Sequence, residues 1–593
     1  MCISLGNSQT GLPLITSTDV RIKMAGVSLC ALCVAYFYLL ERIGFSRAHF
    51  SLIFWFLLTN YDSRTAWLAM AICLLAILWN RPAPISRLVE FLGEHPHLIG
   101  LASTALIASG AIVVYHDYPL SMDEYAAVFQ SKIFASGHLF AQLPRGLIDW
   151  LVVRGFNGSF LSASTETGRV IECYWPGFAL LLAPFEFFRA PWLCNASLAG
   201  LAIFLIHWIT VQITGDRRAG GWAVLFTVAS GAFVADAISY YSMQAHLTAN
   251  LLYVALLLRP DKWRAVAAGL IGSLALILHN PVPHTFFAAP WIVAMALDRD
   301  ERPFLLPLML GYLPGVGVGL GWLLFRSDIA SGTQGASVVS GIASGIFAWP
   351  DSTLLNMRAA ALAKMWLWSV PCLFVFALLG RLRYADNRHV RLLMQSAALT
   401  FVGYFFVRFD QGHGWGYRYF HSAWAAIPIL AGCAMTERSG IQHRLASFAG
   451  AVAVLNLVAA MPFQMHEISE VISQHLAQLP PVKRPGNNVY FIHPRSGFYL
   501  ADMVQMDPLL RDRDLLLVSR GRELDAQLVL QNWPSAVKIP SGGAVDQWYL
   551  GPRDQRIPIP GTTDQKGFAF ATVLIPQSGS DTRPTETNSL QSR

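Results

Sequence analysis

Apolar runs long enough to cross a bilayer recur along most of this chain, and between them the Lys and Arg residues fall on alternate loops. A helical span needs roughly 17 to 25 mostly apolar residues, and cytoplasmic loops carry the basic excess. Taken in order, runs near 24–41, 62–79, 97–115, 192–213, 220–238, 242–258, 265–279, 285–298, 304–325, 360–379, 391–408, 422–436 and 445–463 satisfy both rules from an inward N-terminus. The pattern predicts a polytopic α-helical membrane protein of about thirteen transmembrane helices. A hydrophobic fraction of 54%, a charged fraction of 13% and a mean hydropathy of +0.44 agree with that reading and exclude an ordinary soluble enzyme. The net charge of +7 comes as small clusters between apolar runs, so it serves topology and not nucleic acid.

Arg21 and Lys23 lead into MAGVSLCALCVAYFYLL with no small-residue cleavage site at the right distance, so the first helix reads as retained. Eight cysteines, Cys2, Cys30, Cys33, Cys73, Cys173, Cys194, Cys372 and Cys433, show neither a zinc spacing nor a disulfide framework. Residues 1–90 form a tail and a membrane hairpin, and 91–463 a transmembrane core. After Phe463 the composition turns soluble: NVYFI reads as a strand and DLLLVSRGRELDAQLVLQNW as a strand and a helix, which predicts a small α/β domain over 464–576. The segment 577–593, rich in Ser, Thr and Pro, reads as a disordered tail.

This topology places three polar stretches, 116–191, 326–358 and 409–421, on the outer face, with the C-terminal domain beside them. The first opens on Asp123 and Glu124. Ser121 precedes Glu124 by three residues, a capping box, and the helical spacing of Tyr125, Val128, Phe129, Lys132 and Ile133 predicts an amphipathic helix over 122–136 lying along the membrane surface. A carboxylate in its first turn is favoured by the helix dipole. Asp123 can serve there as a proton acceptor for an attacking hydroxyl or merely as a stabiliser, while Glu124 fits the capping role and is grouped with Asp123 as a candidate catalytic carboxyl that shapes the acceptor side.

The run DEYAAVFQSKIFASGHLF, followed by ETGRVIECYWPGFALLLAPFEFF, resembles the first external loop of the GT-C glycosyltransferases. Within these it is similar to the bacterial family of protein O-mannosyltransferases and the lipid A aminoarabinose transferase. QGHGWGYRYFHSAWAAIPIL resembles a segment that precedes a late transmembrane helix in the same superfamily. The resemblance implies transfer of a hexosyl or pentosyl unit from a polyprenyl-phosphate donor to a glycolipid, polysaccharide or protein of the cell envelope, with inversion, at the outer face of the inner membrane. Asp123 matches the catalytic Asp of that family. Where the aminoarabinose transferase has Glu-Lys before its prolines, this chain has Glu172 and Cys173, so the lysine contact to phosphate is missing.

A departing polyprenyl phosphate needs fixed cations near the bilayer surface. Arg418, among the glycines of GHGWGYRYFH, is the candidate clamp, with Tyr417, His413 and Lys132 as further donor-side groups. Arg145, Arg154 and Arg169 read as solvated charges. Glu172, Tyr174 and His246 are assigned to the acceptor side or to support. His246, His279 and His284 lie near outer span ends, where packing is the commoner use of histidine. No cofactor and no metal are expected, although Asp123 and Glu172 offer oxygen ligands of the kind a divalent ion takes. Beyond donor and acceptor, only membrane lipids are expected as partners. Rival readings are an O-antigen or oligosaccharide ligase of the same fold, a lipid or sugar transporter, which calls for charges at mid-membrane depth, and a non-catalytic scaffold.

Overall fold

The computed structural model describes residues 14–43, 50–79, 82–330, 347, 349–408, 410–436, 443–480, 486–512, 514–541 and 543–552. The predicted disordered tail, the last part of the predicted α/β domain and much of the stretch 326–358 lie outside them.

Among the described residues six helices are long and apolar enough to cross a membrane: Val20–Leu40, Leu52–Leu78, Pro96–Val113, Leu193–Thr214, Arg302–Ile329 and Leu445–Leu476. A seventh span is formed if Arg217–Val228 and Gly231–Ile238, bent by 63° at their junction, count as one. Gly177–Phe187, Met243–Leu257 and Val282–Leu297 are shorter apolar helices. The run 360–379 divides into Ser352–Leu367 and Leu373–Arg383, and 422–436 into His421–Trp424 and Ala426–Ala434. These interruptions are why counting apolar runs gives a larger number than counting unbroken helices.

Local signals set the helix ends. Pro96 starts Pro96–Val113 at a position whose amide has no intrahelical partner, and Asp216 accepts the Arg218 amide at 2.8 Å to begin Arg217–Val228. Where helices must touch without an aqueous hydrophobic drive, small residues let the backbones approach. Gly269 and Gly311 meet this way: a Cβ on Gly269 would lie 2.2 Å from the Leu308 carbonyl and 2.7 Å from the Gly311 Cα.

Beyond the helices lie two small sheets. Arg169–Glu172 pairs antiparallel with both Ala141–Gln142 and Leu161–Ala163. The C-terminal sheet has the order Asp514–Val518, Asn487–Ile492, Val545–Gly551, Val537–Ile539, with the first pair parallel and the others antiparallel, and the helix Arg522–Asn532 follows Asp514–Val518. The expected strands and helix of this module are present. Its start is later than expected, because the helix Met461–Leu476 runs past residue 463 and the first strand begins at Asn487.

The helix Met122–Ala135 is not an amphipathic helix resting on the bilayer. Ten of its fourteen residues are buried. Ala127 and Val128 pack on Phe178, Leu182 and Tyr240, while Tyr125 and Phe129 join one core with Val489, Phe491, Leu517 and Trp548 of the C-terminal sheet. Burial of a side chain such as Phe129 against this sheet stabilises the contact by about 1.5–3 kcal/mol. The module thus fixes the helix that carries Asp123.

Candidate active site

Asp123, in the first turn of Met122–Ala135, and Arg418, in the short 3-10 turn Arg418–Phe420, come together: Arg418 Nη2 donates to Asp123 Oδ2 at 2.6 Å. Arg418 is 7% and Asp123 19% exposed at the side chain, so the pair is largely withdrawn from water. The second carboxylate oxygen, Oδ1, accepts the Tyr174 hydroxyl.

The loop before Arg418 is built to aim that guanidinium. Gly412, Gly414 and Gly416 all have positive φ, +63°, +115° and +63°, a conformation that L side chains resist. The turns they permit wrap the chain around Gln411, which donates to the carbonyls of Gly414 and Gly416 at 3.2 and 2.9 Å and accepts the Arg418 amide at 2.9 Å. The Gln411 carbonyl receives Arg418 Nε at 3.1 Å and Nη2 at 2.5 Å. Asp410 ties this loop to the first membrane hairpin by accepting the Ser51 amide and hydroxyl at 2.7 and 2.8 Å. The Arg418 guanidinium lies over the Tyr241 ring at 4.6 Å.

Asp123, Glu172, Tyr174, Tyr241, His279 and Arg418 line one cavity of about 10 Å³, room for about one water. His279 stacks on Tyr174 with ring centroids 4.0 Å apart. Electrostatics separate the two carboxyls of this cavity. Burial pushes Asp123 up, but the Arg418 charge and the Tyr174 hydrogen bond more than offset it and hold the carboxyl below its usual range. Glu172 has no such partner: its Oε1 is buried without a hydrogen bond, and burial drives its pKa well above the usual carboxylate range. Burial also pulls His279 down to about 4, against the opposing effect of Asp123, which leaves it uncharged.

Glu124 points elsewhere. Its Oε2 accepts the Ser121 amide and hydroxyl at 3.1 and 3.2 Å and its Oε1 accepts the Tyr240 amide at 2.9 Å, so it closes the capping box and ties the helix to the Ser239–Tyr241 turn. Burial raises its pKa to about 7 despite these bonds.

Of the groups assigned to the donor phosphate, Arg418 alone faces the cavity. Tyr417 is buried and takes a hydrogen bond from Arg358 Nη1 at 3.3 Å; Arg358 also binds the carbonyls of Phe405 and Val407. His413 packs its ring on Tyr499 at 5.0 Å, with Nδ1 unpartnered. Lys132 is nine residues along the helix, about 13 Å from Asp123, beside the acidic Asp117 and Glu186. The physical reason is direction: adjacent residues on a tight turn point to different sides, and a helix carries its last turn away from its first. Of the acceptor-side group, Glu172 and Tyr174 line the cavity, and His246 does not; it is fully buried in Met243–Leu257 with neither ring nitrogen hydrogen-bonded.

Tyr241 and His279 are cavity residues that sequence reasoning did not assign. The signal for His279 was its position two residues past the apolar end of Lys262–Ile277, next to the Pro281–Pro283 turn. Among the described residues no group of three or more His, Cys, Asp or Glu side chains is placed to share an ion, and both Asp123 oxygens are engaged by Tyr174 and Arg418.

No family model matches the sequence, and no curated protein matches it. Two crystal structures of ArnT from Cupriavidus metallidurans are similar in shape. The form bound to undecaprenyl phosphate aligns with a TM-score of 0.44 and 14% identity, over 75% of this chain and 97% of that one. The apo form aligns with a TM-score of 0.42 and 13% identity, at the same coverage. At that overlap the functional reading rests on the cavity's own side chains.

Proposed function

We propose that the chain is a membrane glycosyltransferase that moves a sugar from a polyprenyl-phosphate donor to an acceptor hydroxyl of the cell envelope, with inversion. The observation that carries this reading is the buried ion pair of Asp123 and Arg418 at one end of the membrane helices. Asp123, held anionic, takes the proton of the acceptor hydroxyl as its oxygen bonds to the anomeric carbon on the face opposite the phosphate. The anomeric C–O bond breaks, the bonding pair stays on the phosphate oxygen, and Arg418 stabilises the added charge.

The cavity as it stands is too small for a sugar phosphate. Donor entry therefore requires Arg418 to exchange part of its contact with Asp123 for the phosphate, and that exchange frees Asp123 Oδ2 for the acceptor. Tyr174, which holds the other oxygen, keeps the carboxylate oriented during the exchange. Glu172 presents its carboxyl, whose Oε1 has no hydrogen bond within the protein, to a sugar or acceptor hydroxyl. An oligosaccharide ligase would use the same groups on a diphosphate-linked polymer.

The test is transfer by purified protein in lipid nanodiscs given a polyprenyl-phosphate sugar. Asp123→Asn keeps the shape and an acceptor oxygen but not the base, and it is expected to slow transfer about 10²–10⁴-fold. An unchanged rate removes the proposed base.

One observation favours a second reading, a transporter. Lys364 and Asp62 form an ion pair at 2.5 Å within the helical bundle, each at most 1% exposed, and Glu467 lies buried nearby with neither oxygen hydrogen-bonded. Such charges inside a bundle are commonly functional. Substrate movement across sealed vesicles without any sugar transfer would select that reading.

A further inference from the structure

Two helices run from the catalytic cavity to a second, larger cavity, and a third that lines the second is tied at its start to the turn that carries the cavity residue Tyr241. Met243 and Ser242 begin Met243–Leu257 beside Asp123, Leu278 and His279 follow Lys262–Ile277 there, and Asn195, near the start of Leu193–Thr214, donates to the Ser239 and Tyr241 carbonyls at 2.8 and 2.9 Å. The far ends of the same helices enclose about 590 Å³. Along Met243–Leu257 the nearest lining residues of the two cavities, Met243 and Leu252, are about 13 Å apart, and the mouth of the second, at Arg259, lies past the far end of the helix, about 21 Å from Met243. The second cavity thus opens near the opposite membrane face.

Its walls are apolar, with Phe204, Trp208, Leu256 and Leu270 among them, and its mouth carries Arg259 and Arg264. Lys262 and Trp263 are exposed beside that mouth, Trp263 at 82%, in the manner of a side chain at the headgroup level. Arg264 faces Asp261 at 3.3 Å, but both are about half exposed, and a pair of that kind contributes little and yields readily. Arg264 also donates to the Arg259 backbone carbonyl at 3.1 Å, which holds its guanidinium beside Arg259, and both residues line the cavity. A volume within the range of ligand pockets, greasy inside and doubly cationic at the lip, is complementary to acyl chains bearing a negative phosphate.

We propose that this groove is a binding site for an anionic phospholipid of the leaflet opposite the catalytic cavity, with its chains along the Phe204–Trp208 wall and its phosphate between Arg259 and Arg264. The site is separate from that of the sugar donor, so occupancy of one does not exclude the other.

The experiment is native mass spectrometry of the full chain in detergent with added phosphatidylglycerol, phosphatidylethanolamine or polyprenyl phosphate. Phosphatidylglycerol is expected to be retained about tenfold better than phosphatidylethanolamine. Arg259→Gln with Arg264→Gln is expected to erase that preference, and Ala267→Trp, which fills the groove, to lower retention of the lipid without changing polyprenyl phosphate binding. Equal retention of the two phospholipids, unaffected by the arginine substitutions, would mean ordinary annular contact and overturn the proposal. Loss of polyprenyl phosphate binding in Ala267→Trp would overturn it in another way, by showing that the groove serves the carrier.

Discussion

Asp502 of the C-terminal module accepts the backbone amide of Met122, 380 positions earlier, at 3.0 Å. An amide in the first turn of a helix has no intrahelical partner, so Asp502 supplies from a distant segment what a cap normally supplies from the chain itself. The contact sits one residue before Asp123, and Tyr125 adds a second link by exchanging hydrogen bonds at 2.9 Å with the carbonyl and amide of Met506.

Burial raises the Asp502 pKa to about 8, although the Met122 amide opposes the rise. The folded protein therefore keeps a proton that the unfolded chain, with an ordinary carboxyl near 3.8, gives up. Stability from this group is complete below about pH 3.8 and is lost as pH rises toward about 8; Glu124, raised to about 7, contributes in the same direction from about 4.5. Asp502→Asn keeps an acceptor for Met122 and removes the titration, so its melting temperature is expected to fall less than wild type between pH 5 and 8. Asp502→Ala loses the cap as well, at about 1 kcal/mol. Thermal melts across that pH range distinguish the three proteins.

The capping box and the strand Asn487–Ile492 were legible in the sequence, because each is signalled by residues at fixed spacing or by an apolar run, whereas Asp123 and Arg418 were assigned to one reaction by the resemblance and not by any spacing that announces their contact. The burial of Met122–Ala135 was not. Tyr125, Val128 and Phe129 read as the apolar side of a surface helix, yet the C-terminal sheet covers one side and Phe178 and Leu182 the other. Nothing local to the helix announces a partner nearly 400 residues away. Directions of neighbouring side chains were equally hidden: Arg418 and Tyr417 are adjacent, and one faces the cavity while the other faces Arg358. The Lys364–Asp62 pair was missed because the two residues lie 302 positions apart in different apolar runs, and only the fold brings them together.

Gly414 controls the aim of Arg418. A Cβ there would lie 3.0 Å from Arg418 Cδ, and its φ of +115° is closed to other residues, whereas a Cβ on Gly412 meets nothing within 4 Å. Gly414→Ala is expected to weaken donor binding about tenfold or more, through about 1–3 kcal/mol of backbone strain and a displaced guanidinium. Gly412→Ala, which also meets backbone strain at its φ of +63° but brings no atom against Arg418, is expected to lower stability and to change donor binding less than threefold. Titration with polyprenyl phosphate compares the two.

Lys364→Met alone leaves Asp62 buried and unpaired, and the expected loss is about 3–5 kcal/mol of stability. Lys364→Met with Asp62→Asn, which retains an acceptor for Trp368 Nε1 now at 2.6 Å, is expected to recover most of it and to keep transfer near the wild-type rate. Denaturant unfolding and transfer assays read both effects; a stable double variant without transfer activity would give the ion pair a part in the reaction itself.

Arg418→Gln strands the Asp123 charge in the same way, and its carboxyl is expected to return to or above the ordinary range because burial then acts unopposed by the guanidinium. The acid limb of the pH–rate profile is accordingly expected to move up in Arg418→Gln, with the maximal rate also reduced. An unmoved limb would detach Arg418 from the ionisation of Asp123.

A structure of the protein with a polyprenyl phosphate bound tests the central claim most directly. The account predicts the phosphate within hydrogen-bonding distance of the Arg418 guanidinium, the cavity enlarged, and Asp123 Oδ2 released toward the acceptor side. A phosphate held elsewhere, with the 2.6 Å contact between Asp123 and Arg418 undisturbed, would contradict it.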